Sequence, residues 1–225
     1  MTEDSLDTDR RYHVKVVLLG SAGSGKTCLV TRLMEGIFTG NETASVGCAF
    51  MAKSFHIKDV EICLGIWDTC GQERYESLMR IYYQNAAVAI VCHDLTVKTS
   101  YDKTSFWIKE LRENTKESCE IYLVGTKLDL VEDETRSRVV DSEEVEKFAK
   151  EVGARVFETS SKTGHNIDEL FQSVAEDYFN FGLNKMKARP KSIKLHEKQP
   201  EEMKDASTKS RCSCARGGDT SVVNS

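Results

Sequence analysis

Residues 13–34, HVKVVLLGSAGSGKTCLVTRLM, decide the fold. An apolar run of strand length, His13–Leu19, leads straight into the octet GSAGSGKT at Gly20–Thr27, and a helical pattern opens at Cys28. The octet fits G-x-x-x-x-G-K-[ST], a loop whose main-chain N–H groups surround phosphate, and a strand before with a helix after is the context it requires. A triphosphate packs several negative charges into a small volume. Its site therefore needs converging N–H donors from a loop that glycine can close tightly, with a helix N-terminus behind them. Ser21, Ala22, Gly23, Ser24, Gly25 and Cys28 are expected along this cradle. Lys26 is expected to reach the β- and γ-phosphates, and Thr27 to place its hydroxyl on Mg²⁺. The loop alone does not separate a GTPase from an ATPase or a nucleoside kinase.

Outward from the loop, apolar runs at Val60–Trp67, Ala87–Cys92 and Ile121–Val124 alternate with helical patterns, the mark of a parallel sheet covered on both faces. Ala49–Ile57 and Val156–Glu158 complete six strands, and the short gap from Ile57 to Val60 suits a hairpin with one antiparallel edge. The expected fold is three-layer α/β, a six-stranded mostly parallel sheet of the phosphate-loop type. Asp141 with Glu144 and Asn166 with Glu169 read as capping boxes, and Gly153 as a helix stop. Ile167, Leu170, Phe171, Val174 and Tyr178 form one apolar stripe on the last helix.

The chain has 225 residues and a net charge of −5, unevenly divided. Residues 182–225 carry ten Lys/Arg against five Asp/Glu, and residues 1–181 carry twenty-one against thirty-one. An acidic body argues against bulk nucleic-acid binding, while a basic tail suits an anionic membrane surface or a solvated linker. The expected organisation is a flexible N-terminus at 1–12, one domain at 13–183 and a flexible basic tail at 184–225. No apolar run approaches the ~20 residues of a membrane span and no signal core is visible, which points to the cytosol. Cys28, Cys48, Cys63, Cys70, Cys92 and Cys119 stand singly in apolar or motif segments and read as reduced, buried thiols.

Two further constellations choose the base and the chemistry. WDTCGQE at 67–73 follows a strand, so Asp68 stands at a strand's carboxyl end, where open α/β sheets bind ligands. Asp68 can hold Mg²⁺ through water, Gly71 can bring its N–H to a γ-phosphate, and Gln72 can orient an attacking water. GTKLD at 125–129 also follows a strand. The two oxygens of Asp129 match the paired N1–H and N2–H donors of guanine, a pair adenine lacks. The Lys127 stem can lie along the base, with Ser160, Ser161 and Lys162 on its far side. Thr126 occupies the strand end beside them. Ser45 or Thr43, between loop and Asp68, can offer a hydroxyl that senses the γ-phosphate.

These motifs, with SVGCAF at 45–50, GIWDTCGQERYESL at 65–78, IYYQNA at 81–86, VCHDLT at 91–96 and FETSSKTG at 157–164, resemble the Rab family of the Ras superfamily from Val14 to about Phe181. Within it the chain looks closest to a divergent branch associated with autophagy. The resemblance selects Ser45 as the Mg²⁺- and γ-phosphate-sensing hydroxyl. It implies two nucleotide-sensitive switch segments, roughly Phe38–Phe50 and Thr69–Tyr82, and an effector surface on Phe50, Trp67 and Tyr82, for which plain aromatic packing is the alternative. It also implies a monomeric GTP/GDP switch in vesicle or autophagosome traffic, with Lys26 and Gln72 as the catalytic pair. Hydrolysis is expected to be slow, with the arginine supplied by an activating protein. Its other expected partners are an exchange factor, effectors and a dissociation inhibitor or escort protein. A nucleotide-locked scaffold is the alternative. Four residues depart from the family pattern: Ala22 for Gly, Ser45 for Thr, Cys70 for Ala and Thr126 for Asn. Cys212 and Cys214 resemble the family's prenylated C-terminal pair, although ARGGDTSVVNS follows them.

Overall fold

A computed structural model describes residues 10–40, 47–71, 76–115 and 119–188. The order is β1 (Arg10–Leu19), α1 (Lys26–Glu35), β2 (Cys48–Ile57), β3 (Val60–Thr69), α2 (Glu76–Tyr83), β4 (Val88–Asp94), α3 (Lys98–Asn114), β5 (Glu120–Thr126), α4 (Leu128–Glu132), α5 (Ser142–Val152), β6 (Ala154–Glu158) and α6 (Ile167–Ala188). One sheet runs β2-β3-β1-β4-β5-β6, parallel throughout except for the β2–β3 hairpin at its edge. The expected six-stranded α/β sheet is what the chain builds.

Alternate residues of β1 sort into two cores. Val14, Val16 and Leu18 pack against α1 and α6 through Leu29, Leu33, Leu170, Phe171 and Val174. Val17 and Leu19 pack against α3 and α5 through Trp107, Leu111, Val145 and Ala149. Where a strand is covered on both faces its residues are apolar in succession, which is why Val16–Leu19 of β1 and Val88–Cys92 of β4 read as unbroken runs. The apolar stripe of α6 is buried as expected, with Tyr178 partly covered.

Several boundaries differ from the sequence pattern. β1 starts at Arg10, so residues 10–12 are strand and not part of a flexible extension; Arg10 and Arg11 pair with Val60 and Glu61, and Arg11 bonds Glu61 at 2.6 Å. Cross-strand pairing carries this polar end, which no apolar run marks. α6 continues to Ala188, past the expected end at 183, because NKMKA holds good helix formers that propagate an existing helix. Asp141 sits at the α5 N-cap without a side-chain cap bond. Asn166 precedes α6 at φ 56° and donates its amide to the Glu158 carbonyl at 2.9 Å, so neither predicted capping box closes. Gly153 does stop α5, in the left-handed conformation. Cys70, Cys92 and Cys119 are buried free thiols, whereas Cys28, Cys48 and Cys63 are only half-buried on α1 and the edge hairpin. Among the described residues no helix is long and apolar enough to cross a membrane.

Candidate nucleotide-binding site

Parallel strands place their carboxyl ends on one rim of a sheet, and the motif residues collect there. Gly20, at φ 141°, leaves β1 where an added Cβ would run into the Cys92 carbonyl on β4, so only glycine starts this loop. Gly25 then opens α1. The Lys26 side chain curls back over the loop and donates to the Gly20 and Ser21 carbonyls, both at 2.9 Å, and reaches the Ser24 hydroxyl at 3.4 Å. Burial lowers the pKa of this ammonium.

β3 delivers Asp68 to the same rim, opposite Leu18 of β1. The Thr27 hydroxyl donates to its carboxylate at 2.7 Å, and the next residue, Thr69, donates to the Leu18 carbonyl at 2.6 Å. A hydroxyl and a carboxylate in contact form a hard oxygen pair of the kind Mg²⁺ takes, with its remaining positions left to water and phosphate. Gly71 lies directly over the loop: an added Cβ would stand 2.5 Å from the Lys26 ammonium and 2.6 Å from the Ala22 nitrogen. Beside it, the Cys70 N–H donates to the Gly47 carbonyl at 2.8 Å, extending the β2–β3 ladder by one rung.

At the end of β5, Thr126 takes over a bridging task. Its buried hydroxyl lies 2.9 Å from the Ser24 carbonyl in the phosphate loop and 3.1 Å from the His93 carbonyl on β4. The methyl-bearing side chain also packs within 3.1 Å of where a Cβ on Gly25 would stand. Lys127 turns left-handed, at φ 63°, and pairs with Asp94 at 2.7 Å. Burial pushes the Asp94 carboxyl up, but Lys127 and the Thr96 donors outweigh it and hold the carboxyl below its ordinary range. Asp129 falls in the first turn of the short helix α4, not in an open loop. The buried Ser160 hydroxyl fixes one of its oxygens at 2.6 Å, and Lys162 stands 3.9 Å from the other.

A single cavity of about 540 Å³ joins both ends of this arrangement. Ala22, Gly23, Gly25, Lys26, Thr27, Cys28 and Gly71 line its phosphate end, and Thr126, Lys127, Asp129, Ser161 and Lys162 its base end. Ser21, Ser24, Asp68 and Ser160 do not line it, but each is hydrogen-bonded to a side chain that does: Lys26, Thr126, Thr27 and Asp129 respectively. Phe38 and Gly40, from the segment after α1, Thr69 at the end of β3 and Leu130 complete the lining. Phe38, Gly40 and Thr69 fall in the expected switch segments without having been assigned to the site, and Leu130, next to Asp129, was missed altogether. Ser45, Thr43, Gln72, Cys212 and Cys214 lie outside the described residues.

Phe50, Trp67 and Tyr82 form one aromatic row from β2 through β3 to α2, with ring centroids 5.2 and 6.1 Å apart. Phe50 is 58% exposed. Behind the row, the Lys15 ammonium sits 5.2 Å over the Trp67 ring and donates to the Gln84 carbonyl at 2.8 Å.

The sequence profile of the Ras family matches residues 15–180. The Ras-related protein Rab-24 of Dictyostelium discoideum is 45% identical over 189 residues, covering 83% of this chain and 92% of that protein. The GTP-binding protein ypt5 of Schizosaccharomyces pombe is 40% identical, covering 78% and 88%, and the Ras-related protein Rab-13 of Bos taurus is 33% identical, covering 89% and 95%. The loop, the base-end carboxylate and the edge hairpin thus sit in the fold these relatives share, and the chain belongs to the Rab family of Ras-superfamily small GTPases, enzymes that bind GTP and GDP with Mg²⁺, hydrolyse GTP and act as switches in vesicle traffic.

Proposed function

We propose that this chain is a slow GTP/GDP switch whose nucleotide lies across the rim from Lys26 to Asp129. The observation that supports it is the one cavity lined by both the phosphate loop and the Asp129 carboxylate. In this reading Asp129 takes the N1–H and N2–H donors of guanine, with Lys127 and Phe38 along the base and Ser161 and Lys162 closing the far side. Lys26 exchanges its two carbonyl partners for phosphate oxygens, and the main-chain N–H groups of residues 21–28 complete the cradle. Mg²⁺, held by Thr27, Asp68 and Ser45, supplies charge neutralisation at the phosphates when bound. Gly71, already against the loop, brings its N–H to the γ-phosphate, and Gln72 orients the attacking water.

In this proposal the unassisted reaction is slow and waits on an arginine donated by an activating protein. Exchange factors, effectors and a dissociation inhibitor are the remaining partners of such a switch, with effectors reading the exposed Phe50 edge of the aromatic row. The site of action in this proposal is the cytosolic face of endomembranes, including autophagosomes, with the basic tail and a prenylated Cys212 or Cys214 as anchors.

Binding of GTP against ATP, followed by single-turnover hydrolysis of parent and Gln72→Leu, tests the reading. GTP is expected to bind far more tightly than ATP, and the variant to bind GTP but hydrolyse it more slowly. Equal affinity for both nucleotides removes Asp129 from its role, and equal hydrolysis removes Gln72. Negligible turnover in the parent identifies a nucleotide-locked scaffold instead.

A further inference from the structure

Outside the motifs, one ion pair spans the two segments that hold the base end. Arg138 follows α4, and its guanidinium forks onto Glu158, the last residue of β6, at 2.5 and 2.7 Å. Both side chains are about three-quarters covered, at 22% and 24% exposure. A bidentate, partly desolvated pair holds geometry far better than an exposed one.

Each end of the fork leads to Asp129 in a few bonds. On one side, the Asp129 carbonyl accepts from the Asp133 N–H at 2.9 Å, and the Leu130 carbonyl accepts from the Arg136 N–H at 2.9 Å and the Thr135 hydroxyl at 3.0 Å. Val139 then ties the same stretch to the Leu95 carbonyl at 3.1 Å. On the other side, Glu158 gives its carbonyl to the Asn166 amide, and Thr159 bonds both Gly125 and Leu128 across to β5 and α4. One residue further on, the Ser160 hydroxyl grips the Asp129 carboxylate at 2.6 Å. Another ion pair between these segments, Lys162 to Asp133 at 3.4 Å, is half-exposed at both ends and correspondingly weak.

We infer that Arg138, through its fork on Glu158, is a positioning residue for guanine: it sets the separation of the α4 turn from the β6 loop and so the place of the Asp129 carboxylate. The inference rests on the reading of Asp129 as the guanine acceptor. Arg138 lines no part of the cavity, and its effect travels through the loop it anchors.

The test uses the full-length chain loaded with GDP and Mg²⁺, in parent, Arg138→Ala, Arg138→Lys and Glu158→Gln. GDP release and the ratio of affinities for GDP and inosine diphosphate, which lacks the 2-amino donor, are measured together with thermal melting. Arg138→Ala and Glu158→Gln are expected to speed GDP release on the order of tenfold and to lower the GDP-to-inosine ratio severalfold, with Arg138→Lys between them and the parent. A fall in melting temperature with an unchanged ratio in every folded variant overturns the positioning role, and if Arg138→Ala does not fold, the other two decide. A parent that binds both nucleotides equally overturns the Asp129 reading itself, and with it this inference.

Discussion

The Thr27 hydroxyl and the Asp68 carboxylate meet at 2.7 Å, although forty-one residues separate them along the chain. That contact joins the first turn of α1 to the end of β3 and defines the oxygen pair on which the divalent cation depends. Thr27→Asn is therefore expected to uncouple nucleotide affinity from Mg²⁺. In the parent, chelation by EDTA is expected to accelerate GDP release strongly; in the variant, release is already fast, by on the order of tenfold, and responds little to EDTA. A fluorescent-GDP release assay with and without EDTA checks this, and an undiminished response to EDTA contradicts it.

Gly71 has no room for a methyl group between the Lys26 ammonium and the Ala22 nitrogen. Gly71→Ala is expected to push residue 71 off the phosphate loop while leaving the base end untouched. GDP affinity then stays within a few-fold of the parent, whereas the Trp67 fluorescence change on exchanging GDP for a non-hydrolysable GTP analogue is lost. Retention of that change in the variant shows that the close approach is dispensable.

Thr126→Val keeps the shape of the side chain but removes the hydroxyl that bridges Ser24 and His93. The Ser24 and His93 carbonyls lose the single O–H donor they share, at a cost of about 1–3 kcal/mol. Denaturant melts are expected to show that loss in the apo and GDP-bound protein alike, and GDP release to quicken because the phosphate loop is no longer tied to β4. An unaltered release rate separates the bridge from nucleotide retention.

His93 is buried against Tyr101, with ring centroids 5.2 Å apart, and burial pulls its pKa down to about 4. Asp94 and Glu158 favour its protonated form and Arg138 opposes it, but neither carboxylate overcomes the loss of water. In the unfolded chain a histidine takes its proton near pH 6.5, so between pH 6.5 and about 4 the unfolded state binds more protons and stability falls as the pH falls. The full loss amounts to up to about 3 kcal/mol below pH 4 and vanishes above pH 6.5. His93→Phe is expected to flatten this part of the profile, read from denaturant midpoints at pH 7 and pH 4.5. An equally steep fall in the variant assigns the acid sensitivity to other groups.

The sequence announced the sheet because the middle of a doubly covered parallel strand has no polar position to spare, as Val88–Cys92 shows by being apolar and buried throughout. It announced the motif residues for a similar reason: the loop and the strand-end carboxylates have few substitutes for their chemistry. What stayed hidden was settled by contacts remote in sequence. Arg10–Tyr12 became strand through pairing with β3, and Asn166 abandoned its cap to hold Glu158. Phe38 reaches the cavity only because the segment after α1 returns to the rim, which no local pattern encodes. Ser160 read as a wall residue, yet its hydroxyl is spent on Asp129 behind the wall. Arg138, in a polar stretch between two helices, carries no signal at all until Glu158 is placed beside it.

The bond from the Cys70 N–H to the Gly47 carbonyl has a mechanical meaning. It closes the ladder one rung past the Cys48–Thr69 pair, at the rim where Asp68 stands, so the edge strand that carries Phe50 is fastened to the nucleotide end of β3 and strain in either strand is borne by the other at that point.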